Sequence, residues 1–426
     1  MIPNPEQRSQ TGMKPNMTSR ERIRRTLTFE TPDRLPKDLG GMRSTGISCF
    51  LYPKLRAALG LTEKLPKIHD PAQMLALPDN DVLDALGCDV AEVTCPLHEG
   101  ALFDTNAWDD DDNWHEFDFN GRLTALVRDP SIYEIENDTI FMHKRSHSMP
   151  PSSYVFDAIH GGQPLNLSGD LPRFDLDRLA GQLQRAIVSD RHVQQIAAYC
   201  RRARTATSRA ILFNGLSAGL GFPFGLANWS MLCMLDPAYV HEYHKLKIQH
   251  ALANIRKLLP HIRDSVDIIM LSADDHGTQQ STILPPRLFA ELYAPYYRQL
   301  NDEIHAIAPN CKTFLHSCGA IFDILELIIE AGFDILNPVQ WCAGPHSFRE
   351  WKDRCRGRIA LWGGGVNTQT TLPLADIPAI EAEVREVTAC LASGNGYVFC
   401  AIHNLLAEID PAKVIAIYRT ASRCFP

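Results

Sequence analysis

The sequence predicts an α/β protein built on a parallel sheet that helices cover on both faces. Repeated β-α units fill the second half of the chain, and their strands are continuous apolar runs, as in buried parallel sheets. Polar and glycine-rich residues recur just after these strands. In a (β/α)8 barrel those positions form the catalytic face, but a doubly wound open sheet would show the same periodicity. Both architectures therefore stay open at this point.

The predicted elements follow in chain order. A helix spans residues 20–29 with Thr18 or Ser19 as its N-cap, and early strands span 35–39 and 89–94. The second half gives strands at 210–214, 266–271, 312–315, 333–336, 359–362 and 397–400, and helices at 286–307, 321–331, 377–393 and 411–421. Between Glu99 and Arg191 the chain is rich in acids, proline and aromatics, which predicts a β-rich insertion or cap. Within it, the acidic run Asp109–Asp112 is interpreted as a solvated turn.

Composition narrows the class of protein. The chain has 426 residues, of which 45% are hydrophobic and 22% charged, enough for a large core. A net charge of −8 without basic clusters argues against nucleic-acid binding, and no apolar run is long enough to predict a membrane span. The 12 cysteines are scattered without a C-x-x-C pair, and residues 1–17 are polar and expected to be disordered. We therefore expect a cytoplasmic protein with reduced thiols.

The most informative motif is His316-Ser317-Cys318, followed by Gly319, at the end of a predicted strand. Side chains two residues apart on a strand point the same way, so this imidazole and thiol can converge on one point. Both are preferred zinc ligands. A buried histidine with a separate core thiol is the competing interpretation, and both stay open here.

A third ligand is available at the end of the last predicted strand. Cys400 and His403 both follow the apolar run at 396–399. Since they lie three residues apart, they cannot both point into the barrel if the strand continues. Zinc with three protein ligands and one open position is a catalytic arrangement.

Two other strand ends carry candidate residues. Asp274 and Asp275 follow the strand at 266–271 and suit a general base, a substrate anchor or support for a metal ligand, although a capping turn is the alternative. Candidate cofactor-binding residues come after later strands: Gln340, Gly363, Gly364 and Asn367. Consecutive glycines allow close backbone approach, so a ligand-facing loop and a tight turn explain them equally well.

Taken together, these motifs resemble the uroporphyrinogen decarboxylase superfamily, and most closely its branch of cobamide-dependent, zinc-containing methyltransferases. The segments that carry the resemblance are Ser19–Arg22, Pro32–Pro36, Asp275-x-Gly277-x-Gln279, His316–Gly319, Asp334–Gln340 and Trp362–Gly364. The resemblance implies a single (β/α)8 TIM barrel over residues 18–426, with an N-terminal-half insertion at about 99–191 that matches poorly.

The resemblance also implies a chemistry. In these methyltransferases a zinc ion held by His-x-Cys and a later cysteine activates a thiol, which exchanges a methyl group with a corrinoid protein. His316 and Cys318 match the first two ligands, whereas the third aligns with His403, and Cys400 is the reserve ligand. Asp274 or Asp275 would orient or deprotonate the acceptor. The implied partners are a methyl-corrinoid protein and a small methyl acceptor, and homo-oligomerisation is left open.

Two other functions remain as alternatives. One is a metal-free carboxy-lyase, similar to the decarboxylases of the superfamily, that uses Asp274 and Asp275 on a small carboxylate. The region 38–44 lacks the arginine-bearing motif of the porphyrinogen decarboxylases, which disfavours their substrate. The other is a non-catalytic protein that binds a corrinoid or tetrapyrrole.

Overall fold

The computed structural model describes residues 17–108, 113–158 and 170–424. The acidic run Asp109–Asp112 lies outside these ranges. So does the predicted disordered N-terminus, except Met17, whose amide donates to Asp33.

The described strands include a long parallel series and several short antiparallel pairs. In chain order they are β1 (Ile47–Ser48), β2 (Ile68–Asp70), β3 (Leu75–Ala76), β4 (Val90–Thr94), β5 (Asp104–Thr105), β6 (His115–Asp118), β7 (Thr124–Val127), β8 (Tyr133–Glu136), β9 (Thr139–Met142), β10 (His147–Met149), β11 (Asp157–Ala158), β12 (Ala210–Asn214), β13 (Ile268–Ser272), β14 (Lys312–His316), β15 (Ile335–Asn337), β16 (Ala360–Trp362) and β17 (Tyr397–Val398).

The described helices alternate with the later strands. They are α1 (Ser19–Leu27), α2 (Tyr52–Ala58), α3 (Asn80–Leu86), α4 (Leu176–Arg185), α5 (Asp190–Ala206), α6 (Leu226–Leu235), α7 (Pro237–Ile262), α8 (Pro286–Leu292), α9 (Ala294–Ile307), α10 (Leu325–Glu330), α11 (Phe348–Cys355), α12 (Thr371–Leu374), α13 (Ile377–Ala392) and α14 (Pro411–Arg423). Short 3-10 turns occur at Arg43–Thr45, Pro130–Ile132 and Phe322–Ile324.

The central sheet has the order β17-β16-β15-β14-β13-β12-β4-β5, and all its neighbours are parallel except the β4–β5 pair. Residues 36–38 connect its two ends. The amide of Phe399 donates to the Pro36 carbonyl and the Asp38 amide donates to the Phe399 carbonyl, both at 2.9 Å. On the other side, the Asp89 amide donates to the Lys37 carbonyl at 2.8 Å. Residues 36–38 thus complete the parallel strands into a closed barrel.

The barrel interior is filled by side chains that alternate along the strands. One buried cluster contains inward-facing residues from each parallel strand, together with Ile23 and Leu27 of α1 and Met42. Helix α1, capped by Thr18 through its contact with the Glu21 amide, therefore packs against the barrel interior. A second, larger cluster lies between the strands and the surrounding helices.

One predicted helix is interrupted. The pattern at 286–307 predicted a continuous helix, but α8 ends at Leu292 and α9 begins at Ala294. Pro295 explains the break, because proline has no N–H to donate and its ring clashes with the carbonyl four residues earlier.

The chain between β4 and β12 carries the antiparallel elements. Strands β8 to β11 form a four-stranded sheet and β6 and β7 form a hairpin, while β1, β3 and β2 form a three-stranded sheet earlier in the chain. This β-rich content matches the composition of the segment, and its status as an insertion relative to other family members stays a prediction. Within the described ranges, no helix has the length and apolar character needed to cross a membrane.

Candidate metal centre

His316 and Cys318 meet at the carboxyl end of β14. His316 is the last residue of the strand and is buried, and Cys318 follows two residues later with its thiol partly exposed. The Cys318 Sγ lies 3.3 Å from Nε2 of His316. Gly319 then turns the chain with a φ of +88°, and a Cβ at this position would lie 2.3 Å from the carbonyl carbon of Gly277. Only glycine allows the backbone to approach this closely.

His403 joins this pair from the end of the last strand. The ligand atoms of His316, Cys318 and His403 all lie within 4.8 Å of one another, and in the described part of the chain this is the group that could hold a metal ion. Cys400 is not part of the group. Its side chain is buried in the barrel interior beside Val398, where burial raises the pKa of the thiol.

Asn337 fixes the orientation of the His316 ring. Strands β14 and β15 place these two residues opposite each other, and Nδ1–H of His316 donates to Oδ1 of Asn337 at 2.6 Å. The Asn337 amide is held the right way round because its Nδ2 donates to the Trp362 carbonyl at 2.9 Å. Nε2 of His316 therefore keeps its lone pair facing Cys318. A ligating histidine normally shows this arrangement, with its second nitrogen bonded to a protein acceptor.

The electrostatic environment keeps both imidazoles neutral. Burial, and then the neighbouring His316, lower the pKa of His403 to about 4, although Asp275 opposes the shift. Burial also lowers the pKa of His316. Neutral imidazole is the form that binds metal. Burial, and then the Asp275 carboxylate, raise the pKa of the Cys318 thiol. A bound dication would reverse this effect on the thiol, since coordination deprotonates it.

The adjacent carboxylates Asp274 and Asp275 are directed to different places. Asp275 is exposed at the barrel mouth, where its Oδ1 accepts from the Cys318 amide at 2.7 Å and lies 3.6 Å from Nε2 of His316. Asp274 instead accepts from the hydroxyls of Ser272 (2.9 Å) and Tyr297 (3.1 Å). Asp275 is thus the carboxylate beside the cluster.

The predicted cofactor-binding residues contact neighbouring protein groups. Gln340 is buried and its Oε1 accepts from the Gly319 amide at 2.8 Å, which supports the turn after Cys318. A Cβ on Gly363 would lie 2.7 Å from the Pro338 carbonyl oxygen, and one on Gly364 would lie 3.0 Å from that of Val339. These glycines allow the end of β16 to pack against the chain after β15.

Asn367 lies further along the same loop. Its Oδ1 accepts from the Gln369 and Thr370 amides at 2.9 and 3.2 Å, so it shapes the loop after β16. A corrinoid contact by this residue, Gln340 or the two glycines stays a prediction.

Ser44 belongs to the site and was not identified from the sequence. Its Oγ lies 3.2 Å from Nε2 of His316. The loop that carries it starts at Asp38, whose buried carboxylate accepts from the Trp362 indole at 2.9 Å and from the Gly41 amide at 2.8 Å. Burial raises the pKa of Asp38 to about 6. No local pattern marks Ser44, whereas the polar strand-end position of Asn337 could have identified that residue.

Comparison with known proteins agrees with this fold. Residues 222–424 match the family model described as Uroporphyrinogen decarboxylase (URO-D). Uroporphyrinogen decarboxylase 1 (chloroplastic) of Oryza sativa subsp. japonica is 22% identical over 222 residues, which cover 49% of this chain and 52% of that protein. The chain thus spans about half the length of the curated relative that it matches.

A solved structure described as a methyltransferase from Methanosarcina mazei covers 96% of this chain and 99% of its own, with a TM-score of 0.53 and 15% identity. At that identity the likeness concerns the fold alone. The chain is therefore of the TIM-barrel class. Its residues 222–424 are similar to the uroporphyrinogen decarboxylase family.

Proposed function

We propose that this protein is a zinc-dependent methyltransferase, which moves a methyl group between a corrinoid protein and a thiol or similar small acceptor. The observation that carries the proposal is the convergence of His316, Cys318 and His403, whose ligand atoms lie within 4.8 Å of one another at the carboxyl end of the barrel. Active sites of TIM-barrel enzymes lie at this end.

The residues present suit a zinc ion. Two neutral imidazoles and one thiol match the nitrogen and sulfur ligands of catalytic zinc sites, and three protein ligands leave a fourth position open. When bound there, zinc would lower the pKa of an incoming thiol and so supply a nucleophile at neutral pH. The methyltransferases that the sequence resembles have two thiolate ligands, whereas this site has one. The zinc site would therefore carry a net charge of +1, which lowers the pKa of an incoming thiol further.

The protein's own groups then hold and orient the reactants. Asn337 keeps Nε2 of His316 available, and Asp275 lies at the mouth beside Cys318, placed to accept the proton of the acceptor. The Ser44 hydroxyl, 3.2 Å from Nε2 of His316, is placed to donate to a group at the open position. A corrinoid protein would dock over the barrel mouth, where these residues are reached from solvent.

Zinc content of the purified protein tests the metal centre. We expect one zinc per chain, measured by mass spectrometry after dialysis, and loss of stoichiometric zinc in Cys318→Ala and His403→Ala, because a three-ligand site depends on each ligand. Cys342→Ala is the matched control, since Cys342 is also partly exposed but lies outside the group. Full zinc occupancy in Cys318→Ala would refute the metal centre.

Turnover tests the reaction. Methylcobalamin with 2-mercaptoethanol should show a zinc-dependent change in the ultraviolet–visible spectrum as the methyl group leaves cobalt, and Cys318→Ala should abolish it. The wild-type protein with its full zinc but no transfer to any thiol would count against the methyltransferase.

A decarboxylase is the second candidate, favoured by the similarity to the rice enzyme over 222 residues. Here Asp275, exposed at the mouth, would be the carboxylate that faces the substrate. The decarboxylase hypothesis predicts that protein stripped of metal releases CO2 from a carboxylated substrate. Asp275→Asn should abolish this release of CO2 and leave the zinc content unchanged. The methyltransferase hypothesis instead predicts that no CO2 is released.

A further inference from the structure

A cavity of about 430 Å³ adjoins the group of candidate metal ligands, His316, Cys318 and His403, on the side of His403. Its walls come from residues 403–408, from residues 152–157 of the β-rich segment, and from the neighbourhood of Gln73. This volume lies within the range of small-molecule sites. His403 belongs both to the group of candidate metal ligands and to the cavity wall, so a ligand in the cavity would adjoin the metal position.

The His403 ring is available on this side. In the part of the chain that the structure describes, the ring packs edge-on against His316, with 6.1 Å between the ring centres, and forms no hydrogen bond. The ring is only partly buried, so its nitrogens can be reached by a ligand or a metal ion. This observation is independent of the shape of the cavity.

The charged side chains that line the cavity indicate the charge of the ligand that it would bind. Asp157 and Glu408 line the cavity, and neither forms an ion pair with a described residue. The described lining contains no lysine or arginine. Arg122 packs against Tyr154, 5.5 Å from the ring centre, but its guanidinium donates to the carbonyls of Pro150 and Ser153 and is thus already bound. An anionic ligand would find no free cation there, whereas a cationic group would meet two carboxylates.

The remaining wall is largely apolar. Leu75, Phe156 and Leu405 are buried side chains that line the cavity, and Tyr154 adds an aromatic ring. Apolar walls with a few placed polar groups are typical of small-molecule sites.

We propose that this cavity binds the body of the methyl acceptor, and that the acceptor is an aminothiol. Its thiol would face the open metal position beside His403, its ammonium group would lie against Asp157 and Glu408, and its carbon chain would contact Leu75 and Leu405. The identity of the thiol end rests on the proposed function, whereas the preference for a cation rests on the cavity alone.

Binding of a matched pair of probes to zinc-free protein tests the cavity without turnover. The probes are n-butylammonium and n-butanesulfonate, which have similar size and opposite charge, and saturation-transfer NMR measures their binding. We expect the ammonium to bind and the sulfonate not to bind. Asp157→Asn with Glu408→Gln should weaken ammonium binding at least tenfold, whereas the control Glu134→Gln, an exposed carboxylate on β8, should leave it unchanged.

A charge reversal sharpens the test. Asp157→Lys with Glu408→Lys should bind the sulfonate in place of the ammonium, and both positions are exposed, so circular dichroism should show an intact fold. Equal binding of the two probes, or ammonium binding that survives the reversal, would overturn the cation site.

Turnover with thiols of different charge separates the two proposals. If the wild type binds the ammonium probe and transfers methyl groups to 2-aminoethanethiol with a lower KM than to 2-mercaptoethanesulfonate, both proposals hold. A lower KM for the sulfonate would overturn the aminothiol. Ammonium binding without methyl transfer to any thiol would overturn the methyltransferase and the aminothiol together, and leave the cation site in place.

Discussion

Replacing Asn337 with leucine should weaken zinc binding although Asn337 is not itself a ligand. Its Oδ1 accepts from Nδ1–H of His316 at 2.6 Å, and its Nδ2 donates to the Trp362 carbonyl at 2.9 Å, in a fully buried position. Leucine has a similar volume but neither polar group. The His316 ring then loses the bond that fixes its tautomer and orientation.

The expected size follows from these two bonds. Loss of a partner that orients a metal-bound histidine costs 10- to 100-fold in metal affinity, which corresponds to about 1.4–2.7 kcal/mol. The unpaired His316 N–H and Trp362 carbonyl would also lower the free energy of unfolding by about 1–3 kcal/mol each.

The assay is competition with a chromophoric zinc chelator at pH 7.5, with thermal unfolding as the check on folding. Asn337→Asp is the control for zinc binding, because aspartate keeps an acceptor for His316, although its second oxygen faces the Trp362 carbonyl and its burial lowers the free energy of unfolding. We expect the aspartate variant to keep most of the zinc affinity. A folded leucine variant with a zinc Kd within twofold of wild type would refute the reasoning, and so would equal losses in both variants.

Two further predictions concern stability. Burial lowers the pKa of His69, but Glu92 and Asp104 outweigh this and raise it to about 10. The imidazolium therefore contributes stability that is fully present below the unfolded pKa of about 6.5 and is lost as the pH rises to about 10. His69→Gln should destabilise the protein more at pH 6 than at pH 9.5 in urea unfolding, and a pH-independent difference would contradict the ion pairs. Gly319→Ala should destabilise by about 2–4 kcal/mol, because its φ is +88° and the added Cβ would lie 2.3 Å from Gly277; an unchanged melting temperature would contradict this close approach.

The sequence identified the part of the candidate metal centre that depends on local geometry. His316 and Cys318 lie two residues apart at a strand end, so their side chains share a direction whatever the rest of the chain does. The β-α repeats and their apolar strands likewise predicted a parallel sheet, because these patterns follow from burial on both faces. The choice of His403 over Cys400 came from family resemblance, since strand periodicity alone left both open.

What the sequence left open depends on where loops and neighbouring strands lie. Nothing local shows that residues 36–38 close the barrel, because their partners Phe399 and Asp89 come from opposite ends of the chain. Asp274 and Asp275 are equivalent in sequence, and only the packing of Tyr297 and the turn at Cys318 directs them to different sites.

By itself, then, the sequence determined the fold class and the His-x-Cys pair, because strand alternation and apolar burial act over a few residues. Only the tertiary structure decided that Asn337 and Ser44 meet His316, and that His403 lies in the wall of a cavity. These contacts join segments far apart in the chain, and their geometry follows from barrel closure and strand register.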